Sequence, residues 1–218
     1  VGAAVEVFGT VDALAEHADL LAGVRADEVS AKDAAALSET VTPQGLVAVC
    51  LMPAPRLESV LTPSARLVAA LVEPNDPGNV GTVIRTADAA GADAVVLVGG
   101  VDAFNGKAVR ASAGSVLHIP IVTADLAALL AASSAAGLST LATSGAAADT
   151  LDGLVDDGAL RRPTLWLFGS EAHGLSADVL AAADRAVRIP IHGRAESLNL
   201  AAAAAVCLYA SARAQRDR

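Results

Sequence analysis

From residue 66 onward the chain repeats short runs that are apolar at nearly every position, separated by stretches with helical spacing. The runs are Leu67 to Val72, Ala94 to Val98, Ile119 to Val122, Leu138 to Thr143, Thr164 to Phe168 and Ala186 to Ile189. A strand with no polar face has nothing to offer water, so it belongs in a sheet covered on both sides. With a helix between successive strands, that sheet is parallel. The intervening helices are expected at Val80 to Ala90, over residues 105–113, at Leu126 to Ala136 and at Ser197 to Ala212. Gly91 and Gly137 close two of them, as glycine does after a last helical turn. The fold class is therefore α/β, a parallel sheet with helices on both faces. Hydrophobic residues are 54% of the chain and aromatics only 2%, so the core must be built from Ala, Val and Leu.

The first sixty residues have a different texture. Val5 to Phe8 reads as a strand, Val11 to Ala22 as a helix closed by Gly23, and Gly45 to Met52 as a β-rich run. Ser30 is a fitting N-cap for a helix through Ser38, with Asp33 at the capping-box position. Three prolines in residues 53–65 mark a linker. The expected division is a small α/β domain over 1–62 and a larger one over 66–218.

The net charge of −9 excludes a strongly basic nucleic-acid binder. The imbalance sits mostly in front: residues 1–65 carry a net −6 and residues 66–218 a net −3. Arg85, Lys107, Arg110, Arg185, Arg188 and Arg194 gather near the segments described next, and a local basic patch can bind phosphate because screening confines distant charges. No run reaches the ~18 apolar residues of a membrane span, and Val1 to Phe8 lacks the pattern of a signal peptide. Cys50 and Cys207 lie in apolar runs and read as small buried hydrophobes, with no zinc spacing and no metal site. A reducing, cytoplasmic setting fits them.

Three segments break the pattern of ordinary packing. Glu73 to Arg85 (EPNDPGNVGTVIR) leaves the first apolar strand through two prolines and opens a helix, whose N-terminus favours an anion. Arg85 lies in a helix face otherwise filled by Val83, Ile84 and Ala87, with a snorkelling surface arginine as the plain alternative. Leu167 to Leu175 (LFGSEAHGL) runs from a buried strand into Gly169, with Glu171 and His173 as candidate acid–base groups and a loop cap as the plain reading of His173. Ile189 to Leu200 (IPIHGRAESLNL) ends a strand and begins the last helix, where Ser197 suits an N-cap and Asn199 needs a reason. Loops at the carboxyl ends of parallel strands are where open α/β sheets bind ligands. The residues by themselves point to such a site without naming the ligand.

Taken together and in this order, the segments resemble the three signature motifs of the SpoU/TrmH family of RNA ribose methyltransferases. Asp76 to Ala87 carries the first through Gly78, Asn79, Val80, Gly81, Arg85 and Thr86. Phe168 to Leu175 carries the second and Ile189 to Asn199 the third, with Ile191 where Met is commoner. The resemblance covers residues 66 to about 212. It implies a C-terminal deep trefoil knot, a homodimer, S-adenosylmethionine as cofactor and RNA as substrate. By position it places cofactor contacts at Gly169, Ile189 and Leu198, with Thr143 and Ile191 as further candidates, and the catalytic residues at Asn79, Arg85, Glu171, Ser197 and Asn199. The first 60 or so residues, above all VSAKDAAALSETVTPQGLVAV, resemble part of a ribosomal-protein-type RNA-binding domain without its opening strand and helix. That favours 23S ribosomal RNA over transfer RNA as substrate. Guanidinium is effectively never deprotonated, so Arg85 is expected to stabilise a developing alkoxide and the adjacent phosphate rather than act as the base.

Two rival readings have their own signals. The rhythm of GTVIRTADAAGADAVVLVGG suits a nucleotide-binding oxidoreductase, but no GxGxxG follows the first strand. A non-catalytic RNA-binding scaffold is opposed by the filling of all five catalytic positions.

Overall fold

A computed structural model describes residues 4–38, 40 and 42–216. The chain divides into two compact units, Val1–Pro53 and Ala54–Arg218.

The first unit contains β1 (Ala4–Gly9), α1 (Val11–Glu16), β2 (Ala26–Glu28), α2 (Ala31–Leu37) and β3 (Leu46–Cys50). Its sheet has the order β2-β1-β3, with β1 parallel to β2 and antiparallel to β3. Ser30 caps α2 by accepting from the Asp33 N–H at 3.1 Å, and its hydroxyl donates to the Asp33 carboxylate at 2.6 Å. Helix α1 stops at Glu16, six residues short of the expected end, and single turns carry the chain on to Gly23. Only Ala13 of α1 is buried. Helical stability in proteins comes mostly from a packed face, and Leu20, which would extend that face, is exposed. Cys50 is exposed on edge strand β3, contrary to its reading as a buried hydrophobe. Glu39 and Val41, within the stretch that resembles a ribosomal protein, lie outside the described residues.

The second unit begins inside the proline-rich stretch. Helix α3 (Leu57–Val60) buries Leu57, and Leu61 and Ala65 follow it into the core. Then come β4 (Leu67–Val72), α4 (Pro77–Ala90), β5 (Ala94–Val98), α5 (Gly106–Ser112), β6 (Ile121–Thr123), α6 (Leu126–Ala136) and β7 (Ser139–Thr143). After these follow β8 (Asp149–Thr150), α7 (Leu151–Asp156), β9 (Thr164–Phe168), α8 (Ala177–Ala182), β10 (Arg185–Arg188) and α9 (Leu200–Arg216). The short elements β8, α7 and α8 were not legible in the sequence, because a six-residue helix shows too little periodicity.

All described pairings in this sheet are parallel, in the order β6-β5-β4-β9-β7-β10-β8. Alternation sorts the side chains into two layers. Leu67, Ala69, Leu71, Val95, Leu97, Trp166 and Phe168 pack under α4, α5, α7 and α9. Val68, Ala70, Val72, Val96, Leu165 and Leu167 pack under α3, α6 and α8. Trp166 is fully buried, and its indole N–H donates to Ser211 of α9 at 2.9 Å. That bond removes the cost of an unpaired buried donor. Cys207 is buried as well, and burial pushes its thiol well above the usual range, which leaves it inert.

Strand β10 is paired between β7 and β8, although both precede it in the chain. The carboxyl ends of four neighbouring strands, β4, β9, β7 and β10, therefore lie side by side, and the three motif loops leave from three of them.

Candidate functional site

The first loop is held tightly where it leaves β4. Glu73 has φ 50°, a left-handed conformation uncommon for a side chain of its size. Its N–H donates to Val98 O at 2.9 Å, and the N–H of Val101 donates to Pro74 O at 3.1 Å. Asp76 caps α4 by accepting from the Gly78 N–H at 3.0 Å, with Pro77 at the first helical position, where its missing N–H costs nothing.

The second loop folds back on itself. Gly174, at φ 66°, donates to Ser170 O at 2.9 Å. A Cβ on Gly169 would lie 2.1 Å from the carbonyl carbon of Gly174, so only glycine admits this turn. The turn presents Glu171 to the first loop. Asn79 donates its side-chain N–H to one carboxylate oxygen at 2.8 Å, and the Asn75 N–H donates to the other at 3.3 Å. Partial burial disfavours ionisation of Glu171. The hydrogen bonds from Asn79 and from the backbone at Glu171, Asn75 and Asp76 outweigh it and hold the carboxyl below its usual value.

The third loop closes the network. Asn199 donates to the side-chain oxygen of Asn79 at 3.0 Å, and its own side-chain oxygen accepts from Ala201 N–H at 2.9 Å and Ala202 N–H at 3.4 Å. Asn199, and not Ser197, is thus the cap of α9, which explains an asparagine at that position. Glu171, Asn79 and Asn199 form one hydrogen-bonded chain that joins all three segments.

Beside this chain lies a cleft of about 280 Å³ lined by Thr143, Ser144, Gly145, His173, Leu175, Val187, Ile189, Ile191, Glu196, Ser197 and Leu198. A smaller space of about 220 Å³, bordered by Gly169, Glu171, Ser197 and Leu198, shares Thr143 and Gly174 with it. All five expected cofactor positions and Ser197 therefore meet here, together with Glu171. Leu175, Val187, Ile189, Ile191 and Leu198 give this lining apolar surface, and Ser144 and Ser197 give it hydroxyls, a composition that suits a heterocycle carrying polar ribose and amino-acid groups. The Thr143 hydroxyl donates to Leu167 O at 3.1 Å. Ser144, Gly145 and Val187 escaped the sequence reading, because two turn residues and one strand valine carry no local mark of a ligand.

Arg85 stands apart. It is exposed on α4, while Val83, Ile84 and Ala87 are buried, so it does not share their face as the sequence suggested. Six residues beyond Asn79 amount to ~9 Å along the helix and about 120° around it. Arg85 makes no hydrogen bond or ion pair with another described residue. Among the described residues no cluster of His, Cys, Asp and Glu could hold a metal ion, and no helix is long and apolar enough to cross a membrane.

Residues 66–209 match the model of the SpoU rRNA Methylase family. The chain belongs to that family. Membership makes it an S-adenosylmethionine-dependent RNA 2′-O-methyltransferase. It is 38% identical over 198 residues to the 23S rRNA (guanosine(2553)-2′-O)-methyltransferase RlmP of Bacillus subtilis, spanning 88% of this chain and 74% of that one. Among solved structures, the SpoU methyltransferase AviRb from Streptomyces viridochromogenes in complex with AdoMet superposes with a TM-score of 0.84. Its identity is 30%, and the match covers 99% of this chain and 84% of that one. An AdoMet-bound rRNA methyltransferase from Sinorhizobium meliloti gives a TM-score of 0.79 at 32% identity, over 95% of this chain and 79% of that one.

Proposed function

We propose that this SpoU-family methyltransferase acts on a ribose 2′-hydroxyl of 23S ribosomal RNA, at the network joining Glu171, Asn79 and Asn199. The observation that carries this reading is that one hydrogen-bonded chain links the three motif loops beside the cleft that gathers the candidate cofactor residues. The preference for 23S rRNA over transfer RNA rests on the relative RlmP, a 23S rRNA methyltransferase by name.

Thr143, Gly169, Ile189, Ile191 and Leu198 would hold S-adenosylmethionine, which supplies a methyl group on a positively charged sulfur. When bound, it would supply that methyl group to the ribose oxygen, with the demethylated cofactor leaving and the hydroxyl proton passing to solvent water. Much of the rate comes from holding the two reactants in line. Glu171 is a poor base for that proton, since its donors stabilise the carboxylate. Its work is to fix Asn79 and, through it, Asn199 beside Ser197. Arg85, exposed on α4 and outside this network in its own chain, would reach the developing alkoxide and the neighbouring phosphate only with RNA bound across that face, where its planar cation would stabilise both.

Further readings accompany this one. The insertion of β10 between β7 and β8 supports a deep trefoil knot, because the returning chain must pass the segment joining those strands. Residues 192–199 are all exposed, and α9 presents Ala202, Val206, Tyr209 and Arg213 to solvent. That largely apolar stripe supports a homodimer. The first unit is read as an RNA-binding domain of ribosomal-protein type, and the enzyme as cytoplasmic.

Arg85→Ala tests the mechanism. Cofactor binding should be normal, while single-turnover methyl transfer at saturating rRNA falls on the order of 10²–10³-fold, the scale of one lost oxyanion donor. Arg85→Lys should recover little. Near-parental turnover in Arg85→Ala would remove Arg85 from the mechanism.

A further inference from the structure

Helix α5 contributes no motif residue, yet it is fastened to the start of α4 at two points. A Cβ on Gly81 would lie 2.2 Å from the carbonyl oxygen of Ala108, so the helices touch backbone to backbone. Near the opening of α4, the stem of Lys107 passes Gly78, whose added Cβ would lie 3.0 Å from the lysine Cε. The Lys107 ammonium then meets Asp76 Oδ1 at 2.5 Å, the same oxygen that accepts from the Gly78 N–H.

Asp76 faces two ways. Its side chain pairs with Lys107, while its backbone, with Asn75 and Asn79, supplies hydrogen bonds to Glu171. The hydrogen bond from Lys107 holds the Asp76 carboxyl below its ordinary value. Without Lys107, two uncompensated carboxylates would flank one short loop, and the loop would lose its side-chain tether to α5.

Resting on the methyl-transfer reading above, we propose that Lys107 is a positioning residue: through its ion pair with Asp76 it sets the α4 entry loop in the conformation that holds Glu171, Asn79 and Asn199. Lys107 touches neither Glu171 nor the cofactor cleft, so it acts through Asp76 alone.

The test uses the full chain carrying Lys107→Met, Lys107→Arg, Asp76→Asn or the pair Lys107→Met with Asp76→Asn. Asparagine keeps the helix cap and loses only the charge. Single-turnover methyl transfer at saturating rRNA and S-adenosylmethionine should fall on the order of 10–10²-fold in Lys107→Met, the cost of modest misplacement. Lys107→Arg should regain most of it. Asp76→Asn should match Lys107→Met, and the pair should be no worse than either, because both remove one interaction. S-adenosylmethionine affinity by calorimetry should stay at the parental value in all four. Additive losses, an unchanged rate or a parallel loss of cofactor affinity would each overturn the proposal. So would a rise in half-saturating RNA at parental maximal rate with the salt slope reduced by about 1, which marks a phosphate contact instead. A parent protein that binds S-adenosylmethionine but methylates no rRNA would sink the substrate reading. The inference would then stand or fall on carboxylate NMR, where Glu171 should titrate higher in Lys107→Met than in the parent.

Discussion

Strand β4 buries all six of its residues, whereas β1, also flanked by strands on both sides, buries only Val7 and Gly9. The two sheets differ in what covers them. In the second unit, helices lie on both faces, and each strand residue serves one of two apolar layers. In the first unit, α1 and α2 bury one alanine apiece, Ala13 and Ala34. Burial at ~25 cal/mol per Å² of apolar surface therefore gives the second unit a rigid frame and the first a thin one. A rigid frame is what a methyl-transfer site requires, since its geometry must hold to fractions of an ångström. A thinly packed unit is suited to meeting a partner through its surface.

The sharpest way to break this contrast is to separate the units. Removal of residues 1–53 should leave S-adenosylmethionine affinity near parental. Methylation of sub-saturating rRNA should fall by roughly 10²–10⁴-fold, the scale of losing a linked binding module. A cut at residue 62 should differ by also lowering the melting temperature, because it strips Leu57 and Leu61 from the second core. Equal rRNA methylation with and without residues 1–53 would refute the division of labour.

Core truncations compare the frames directly. Trp166→Ala should cost about 3–5 kcal/mol in urea unfolding and weaken cofactor binding with it. Val7→Ala should cost about 1–2 kcal/mol for two buried methyl groups and leave cofactor binding untouched. Similar penalties on both sides would mean that the first unit is better packed than its exposures indicate.

The smallest effect concerns Glu171. A carboxyl whose folded pKa is depressed contributes its stabilisation above the ordinary value and loses it as pH falls through the depressed one. The network should thus be complete at neutral pH and weaken only once the pH drops below the ordinary glutamate value of 4.5. Glu171→Gln, monitored at neutral pH, should reduce single-turnover rate about ten-fold, the scale of one charge-assisted hydrogen bond, with the unfolding midpoint slightly lowered. A steep rise in parental rate between pH 6 and 8 that disappears in Glu171→Gln would instead make Glu171 a general base.

Much of the second unit was legible because its signals are local. The boundaries of β4, β5, α6 and β9 follow directly from LVAALV, AVVLV, LAALLAASSAA and TLWLF. In the first unit periodicity misled, since VDALAEHADLLA has helical spacing, but no residue of its second half is buried. The motifs named candidate site residues without their arrangement. Ser197 and Asn199 both suited a cap, and only the hydrogen bonds to Ala201 and Ala202 show that Asn199 takes that place.

What the sequence by itself determined is the class of sheet, the order of the three motif loops and the family they mark, because apolar runs and loop chemistry are written in neighbouring residues. The tertiary structure alone decided which distant residues meet. Asn199 reaches Asn79 across 120 positions of chain, and Thr143 and Ser144 face the same cleft as Ile189 because β10 enters between β7 and β8. It also left Arg85 exposed on α4, with no hydrogen bond to another described residue. Strand order and helix facing are settled by competition among all the buried surfaces at once, and no local stretch of residues records that outcome.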